Sequence, residues 1–292
     1  MLLSNAFNFD AFTSRLAGTI ASWKIHLLAI LHDDIDLAIG YHIMLSKQNN
    51  PQSYKQGILE KAEQRGSRGP TISGVKMKLI IGNKNYSSWS LRAWLLLSVN
   101  DIPFDEVRVT LSTENTRSEI AKHTAAGKVP VLHDNDLVVW DSLAICEYIS
   151  EQYLGGKGWP ADAKDRAQAR SCAAEMHSGF FTIREKLPMN CRAVDRHVPI
   201  SADLEKEISR IDSMWTELRT KFSASGQWLF GEFSIADCMF APVVFRFRTY
   251  NVAVSEISAY YMKNVLAHPK VQLWLDQAQK EVETIESTEV GM

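Results

Sequence analysis

Cysteine is scarce in this chain: four in 292 residues, Cys146, Cys172, Cys191 and Cys238, with no Cys-x-x-Cys and no paired Cys/His spacing. That pattern disfavours a disulfide framework and a zinc site, and it fits a reducing cytoplasm. Long apolar runs are missing too. No stretch reaches the roughly 18 apolar residues that a membrane helix needs. The best candidate, Ile20 to Leu45, is interrupted by Lys24, His26, His32, Asp33, Asp34 and Asp36. It also makes a poor signal peptide, because no compact apolar core precedes a small-residue cleavage site. Finally there is no surplus of charge. Lys plus Arg is 32 and Asp plus Glu is 34, a net of −2, whereas a dedicated nucleic-acid binder usually carries a basic excess. The expectations are a cytoplasmic protein with no metal, no nucleic-acid partner and no membrane partner.

What is present is an ordinary globular mixture, 46% hydrophobic and 23% charged, long enough for about two domains. Residues 46–76 are polar, with two prolines and a Gly/Ser/Arg cluster, the composition of a linker. Residues 1–76 are therefore expected to be an extension. Met77 is the candidate true start, and a small helical partner-binding appendage at Ile20 to Leu45 is the alternative.

From Met77 the pattern alternates. Leu79-Ile80-Ile81 reads as a buried strand, 88–99 as a helix stopped by Asp101-Ile102-Pro103, and 104–109 as a second strand. This is a βαβ unit with parallel strands. A polar helix-like stretch (112–123) follows. Then come strands at 129–132 and 137–140, joined so tightly at Asp134-Asn135-Asp136 that they must form an antiparallel hairpin. Asp141-Ser142 caps a helix with Leu143, Cys146, Ile149 and Tyr153 on one side. After the linker from Gly155 to Pro160, everything is read as helix: about 162–187, 201–224, 234–250 and 268–285. The expected domains are 77–154, α/β, and 161–292, all-helical.

Three segments can carry chemistry, and each has a structural alternative. Asn85-Tyr86-Ser87-Ser88-Trp89-Ser90-Leu91-Arg92 joins the first strand to the first helix. A helix N-terminus carries unpaired N–H groups and partial positive charge. A hydroxyl there can stabilise a thiolate, or simply cap the helix. Lys128-Val129-Pro130 enters the third strand. A cis proline would leave the Val129 backbone free to pair with an extended peptide, and an ordinary trans proline at a strand edge is the alternative. Asp141 and Ser142, at the next helix start, can hold an amino group and a carboxylate, or only cap. All three end neighbouring elements of one sheet. Together they suit a ligand with a thiol, a peptide backbone and an α-amino-acid end, which is the description of glutathione.

With GKVPVL (127–132), DSLAICEYI (141–149) and SIAD (234–237) following the Ser-rich turn and Arg92 in order, residues 77–285 resemble a cytosolic glutathione S-transferase of the serine type. The resemblance implies an N-terminal thioredoxin-like domain and a C-terminal all-helical domain. It implies that Ser87 binds the glutathione thiolate, with Ser88 and Ser90 as close alternatives. Lys128 would meet the glycine carboxylate, Val129 before a cis Pro130 the cysteinyl backbone, and Asp141 and Ser142 the γ-glutamyl end. Ser234 and Asp237 would form a capping box.

The chain departs from the maleylacetoacetate isomerase-like members, which carry a cysteine where Trp89 stands. It offers Tyr86 beside the catalytic position and no cysteine in the turn. Met176, Phe180 and Ile183 are candidates for the acceptor pocket or for core. Arg246 and Arg248 face an anionic acceptor or solvent, and His177 is a base or a structural histidine. The function implied is conjugation of glutathione to a small electrophilic substrate by a homodimer. The alternatives are glutathione-dependent peroxide or disulfide reduction, and a non-catalytic binding or regulatory module.

Overall fold

The computed structural model describes residues 77–292. The expectations for residues 1–76, the linker-like 46–76 and the helix at Ile20 to Leu45 among them, lie outside the described residues.

Four strands, β1 (Met77–Ile81), β2 (Asp105–Arg108), β3 (Val131–Asp134) and β4 (Leu137–Trp140), form one sheet in the order β2-β1-β3-β4. β1 and β2 are parallel, and the two other pairings are antiparallel. β1 is flanked on both sides, so its residues Leu79, Ile80 and Ile81 are all buried, as an interior strand requires. Side chains alternate across it. Ile80 joins Val109, Ile120 and Val131 on one face, while Leu79 and Ile81 enter the main core on the other. Helix α1 (Ser88–Val99) crosses from β1 to β2. Short α2 (Thr116–Ala121) leads to the hairpin, and α3 (Ser142–Leu154) ends at Gly155 with φ 57. This is the thioredoxin-like βαβ–ββα order that the sequence implied.

The second half is all-helical: α4 (Ala163–Ser178), α5 (Phe181–Lys186), α6 (Ala202–Lys221), α7 (Ile235–Thr249), α8 (Glu256–Ala267) and α9 (Pro269–Gln279). α7 is its axis. It is buried along nearly all its length, as a helix apolar on every side must be, and it packs on α1, α4 and α8. Trp215 of α6 sits beneath it with ring centroids 5.8 Å from Phe240, 5.7 Å from Phe247 and 5.0 Å from Tyr261. The sequence-predicted capping box is present. The Ser234 side chain accepts from the N3 backbone, and Asp237 Oδ2 accepts from Ser234 N–H at 2.9 Å.

Four expectations are corrected. The helix read as 162–187 breaks at Gly179 and Phe180, which has φ 57, so α4 and α5 are separate. Arg184 of α5 then satisfies the end of α4, donating to the carbonyls of Met176, His177 and Gly179. α8 was not anticipated, and the helix read as 268–285 stops at Gln279. On α3 the buried positions are Ser142, Ile145, Cys146, Ile149 and Ser150, while Tyr153 is exposed. The Tyr153 hydroxyl reaches Asp134 instead. Among the described residues no helix is long and apolar enough to cross a membrane.

Candidate functional site

The sheet register brings the three candidate segments to one end of the fold. Ile80 pairs with Val131, and Val131 with Trp140. The turn after β1, the approach to β3 and the start of α3 are therefore neighbours. The Asn83 carbonyl accepts from Tyr86 N–H at 3.1 Å and Ser87 N–H at 2.8 Å, folding the chain back into α1.

The serines of this turn are not equivalent. Ser87 is the N-cap of α1: its hydroxyl accepts from Ser90 N–H at 3.4 Å and donates to Ser90 Oγ at 2.7 Å. Ser90 is wholly buried, and its Oγ also accepts from Gly82 N–H at 3.1 Å. Ser88 Oγ accepts from Arg246 Nη2 at 3.2 Å. Tyr86 does not stand in for a serine. Its hydroxyl donates to Glu289 Oε1 at 2.6 Å and accepts from Arg192 Nη2 at 2.8 Å, so its one proton is engaged.

The Val129–Pro130 bond is cis, and the Val129 N–H finds no partner among the described residues. Pro130 is buried, Val129 half-buried, and Lys128 exposed beside Gly127. Lys128 is thus near the segment but is not drawn into any ion pair among the described residues. Asp141 is the N-cap of α3, with φ 77; its Oδ1 accepts from Leu143 N–H at 2.9 Å and Ala144 N–H at 3.2 Å. Its Oδ2 lies 3.0 Å from His177 Nε2. Ser142 Oγ is buried with no partner. An unpaired buried hydroxyl at a helix N-terminus calls for a ligand group.

Sequence reasoning missed the cluster of basic side chains around Trp89. The Arg92 guanidinium stacks on its ring at 4.4 Å and the Arg184 guanidinium at 4.6 Å, with the His177 ring edge-on at 5.3 Å. Arg92 is fully buried, and its Nε and Nη1 have no partner among the described residues. Burial, with repulsion from Arg184 and Arg246, pushes its pKa down to about 9. Burial and Arg184 likewise bring Arg246 down to about 10. His177 is lowered too, mainly by burial and against the pull of Asp141.

Arg246 therefore does not face solvent, one of the two alternatives read from the sequence, since it is buried. It lies under the serine turn, while Arg248 donates to the Cys191 carbonyl at 3.3 Å. The available signal was Phe245-Arg246-Phe247, a charge between two aromatic residues in a mostly apolar helix. Met176, Phe180 and Ile183 are core. All four cysteines are buried and free. A cavity of about 870 Å³ walled by Trp159, Arg166, Arg170, Phe222 and Phe233 shares no residue with the turn. Among the described residues no three His, Cys, Asp or Glu side chains gather as a metal site.

Residues 86–152 match the glutathione S-transferase N-terminal domain, and residues 201–277 match the glutathione S-transferase C-terminal domain. A dichloromethane dehalogenase of Methylorubrum extorquens is 39% identical over 71 residues, which is 23% of this chain and only 25% of the dehalogenase. A stringent starvation protein A homolog of Haemophilus ducreyi is 25% identical over 52% of this chain and 73% of its own. Among solved structures, a glutathione transferase homolog from Burkholderia with bound glutathione has 23% identity and a TM-score of 0.54, covering 71% of this chain and all of that one (100%). The two domain matches stand in the order of the two folded halves described above, and the chain belongs to the glutathione S-transferase family.

Proposed function

We propose that the protein is a glutathione transferase that joins the glutathione thiolate to a small electrophile. The single observation that carries this is the convergence at one end of the sheet: a hydroxyl-rich helix start, the free Val129 N–H after which the chain turns through cis Pro130, and the unpaired Ser142 hydroxyl at the α3 N-terminus. Each group fits one part of glutathione. Ser87 or its neighbour Ser88 takes the thiol, Val129 the cysteinyl backbone, Ser142 and Asp141 the γ-glutamyl end, and Lys128 the glycine carboxylate.

In the reaction the thiol proton passes to solvent and the sulfur lone pair forms the C–S bond. The leaving group departs with its own electron pair. The protein contributes by holding sulfur near carbon and by favouring the ionised nucleophile. No enzyme thiol takes part. We place the reaction in the cytoplasm, with 77–154 as the glutathione-binding domain and 161–292 as the domain that receives the electrophile.

Glutathione binding by calorimetry, together with product formation from 1-chloro-2,4-dinitrobenzene and from a dihalomethane, tests the reading. Binding with turnover of either supports it. Binding with reduction of cumene hydroperoxide alone would select the reductase alternative, and binding with no turnover the regulatory module. The name of the stringent starvation relative states no transferase activity, so that last outcome is a meaningful one. Replacing Asp141 with alanine is expected to weaken glutathione about tenfold, since about 1.4 kcal/mol corresponds to one ordered charge-assisted contact. Unchanged affinity in the same titration would remove Asp141 from the site.

A homodimer belongs to the same proposal. β4 is an edge strand, with Leu137 45% exposed and Trp140 56% exposed. An exposed apolar edge of this kind is normally covered. Trp140→Glu is expected to shift the mass measured by light scattering from dimer to monomer. A variant that keeps the parent's mass would place any interface elsewhere.

A further inference from the structure

We infer that Ser88, rather than Ser87, donates the hydrogen bond to the glutathione thiolate, and that Arg246 is the positioning residue that turns the Ser88 proton toward it. This rests on the proposed transferase reading and assigns the roles within that same site.

The argument is an inventory of protons and lone pairs. A serine hydroxyl has one proton to give and two lone pairs to receive with. Ser87 gives its proton to Ser90 Oγ and receives from Ser90 N–H, which is what an N-cap does. Donating to sulfur would break that short bond. Ser90 is wholly buried and tied to Gly82 N–H and to Ser87. Ser88 is different. The hydrogen bond it makes to Arg246 is one it accepts, at 3.2 Å. A guanidinium has donors only, so it cannot take the Ser88 proton. That proton has no acceptor among the described residues and stays available for an anion. A charge-assisted bond into the oxygen also polarises the O–H, strengthening it as a donor.

Arg246 is itself held in place. Its Nη1 donates to the carbonyls of Arg184 and Leu187, which fixes the fork while Nη2 points to Ser88. It lies on α7, in the helical half, whereas Ser88 opens α1 of the thioredoxin-like half. The thiolate site is therefore completed only when the two halves pack. The groups that face Arg246 are Arg184 from α5, and Tyr250 and Cys191, both neutral at pH 7 because burial raises their pKa values. Arg92 of α1 adds a second buried guanidinium beside the half-buried Arg184. Across Trp89 stand His177 of α4 and its partner Asp141. Neither Arg92 nor Arg246 has a carboxylate bonded to it among the described residues. Buried positive charge without a counter-ion favours an anion placed beside it, and the thiolate at Ser88 is that anion.

The test uses the full chain and four variants: Ser87→Ala, Ser88→Ala, Arg246→Gln and Arg246→Lys. Two quantities are read: the pKa of bound glutathione, from the ultraviolet absorbance of the thiolate against pH, and the pH profile of kcat/KM. In Ser88→Ala and Arg246→Gln the bound thiol pKa is expected to rise toward that of the free thiol. Their kcat/KM should fall by roughly 10²-fold at neutral pH, the scale for loss of one preorganised donor, and recover at alkaline pH. Arg246→Lys should restore part of the shift, because an ammonium can still donate to Ser88. Ser87→Ala should keep the lowered pKa of the bound thiol while its Tm falls through loss of the cap.

If Ser87→Ala loses the thiolate signal and Ser88→Ala keeps it, the assignment is overturned. An Arg246→Gln protein with an unshifted thiol pKa removes Arg246 from the role. Should Arg246→Gln fail to fold, the two serine variants still decide the donor, and Arg246→Lys decides the positioning residue. A parent protein that binds no glutathione defeats the transferase reading itself, an outcome distinct from any of these.

Discussion

Replacing Glu281 with alanine is expected to lower both stability and turnover, although Glu281 lies far along the chain from the serine turn. After α9 the chain returns across that turn and is tied there by carboxylates. Glu281 Oε1 accepts from Lys84 N–H at 2.7 Å and Oε2 from Asn85 N–H at 3.0 Å. Those are the backbone donors immediately ahead of Tyr86 and Ser87. Arg108 pairs with both Glu281 and Glu283. Arg192 holds the carbonyls of Glu281 and Glu283 and also reaches the Tyr86 hydroxyl. Further on, Glu289 accepts from Tyr86, Asn190 and Arg196.

The Glu281 side chain is only 7% exposed. Its removal therefore leaves N–H groups without a partner in a place water barely reaches, at about 1–3 kcal/mol each. The expected loss is about 3 kcal/mol of stability. A serine turn released by even 1 Å would cost up to roughly 10²-fold in kcat/KM. Denaturant unfolding and steady-state kinetics on Glu281→Ala check the two effects. Glu281→Gln separates charge from geometry, since its amide oxygen can still accept one of the two bonds. A Glu281→Ala enzyme with the parent's kcat/KM would show that the turn holds its shape without the returning chain.

Asp237→Ala is expected to destabilise the helical half strongly. Its carboxylate is buried and receives four donors: Leu229 N–H and the Tyr261 hydroxyl at 3.1 Å each on Oδ1, Ser234 N–H at 2.9 Å and the Ser234 hydroxyl at 3.2 Å on Oδ2. Truncation strands those groups and removes the capping box of α7, the helix that carries Arg246. The cost is about 4 kcal/mol, from the cap together with the unpaired donors.

The same carboxyl makes stability depend on pH. Burial, partly offset by the bonds from Leu229 and Ser234, raises its pKa to about 6 from 3.8. The folded state therefore holds the Asp237 proton over a range where the unfolded chain has released it. The stabilisation this group contributes is complete below pH 4, is lost as pH rises through about 6, and is constant above. Two pKa units correspond to about 3 kcal/mol across that window. Chemical denaturation at a series of pH values, with Asp237→Asn as the control that cannot titrate, isolates the contribution. A parent and an Asn variant with parallel pH profiles would contradict the raised pKa.

Much of the architecture was legible because it is local. α1 spans the predicted 88–99, since a serine cap begins it and Asp101-Ile102-Pro103 ends it. The hairpin follows from two short apolar runs separated by Asn135 and Asp136, and Asn135 takes a positive φ of 53 there. The capping box at Ser234 and Asp237 depends on spacing alone. The break after Ser178 was not legible. Met176, Phe180 and Ile183 keep helical spacing across it, and only Arg184 folding back onto the open carbonyls shows why two helices are stable there.

The sequence by itself determined that a hydroxyl-rich turn, a Val-Pro strand entry and an Asp-Ser helix start stand in order before a helical domain, because each is a short-range pattern of turn and cap chemistry. Only the tertiary structure decided how the adjacent serines differ. The bond that sets Ser88 apart comes from Arg246, 158 positions away, and those that tie down Lys84 and Asn85 come from Glu281, 197 and 196 positions away. A hydroxyl's proton goes where its neighbours' lone pairs allow, and those neighbours are chosen by packing rather than by spacing.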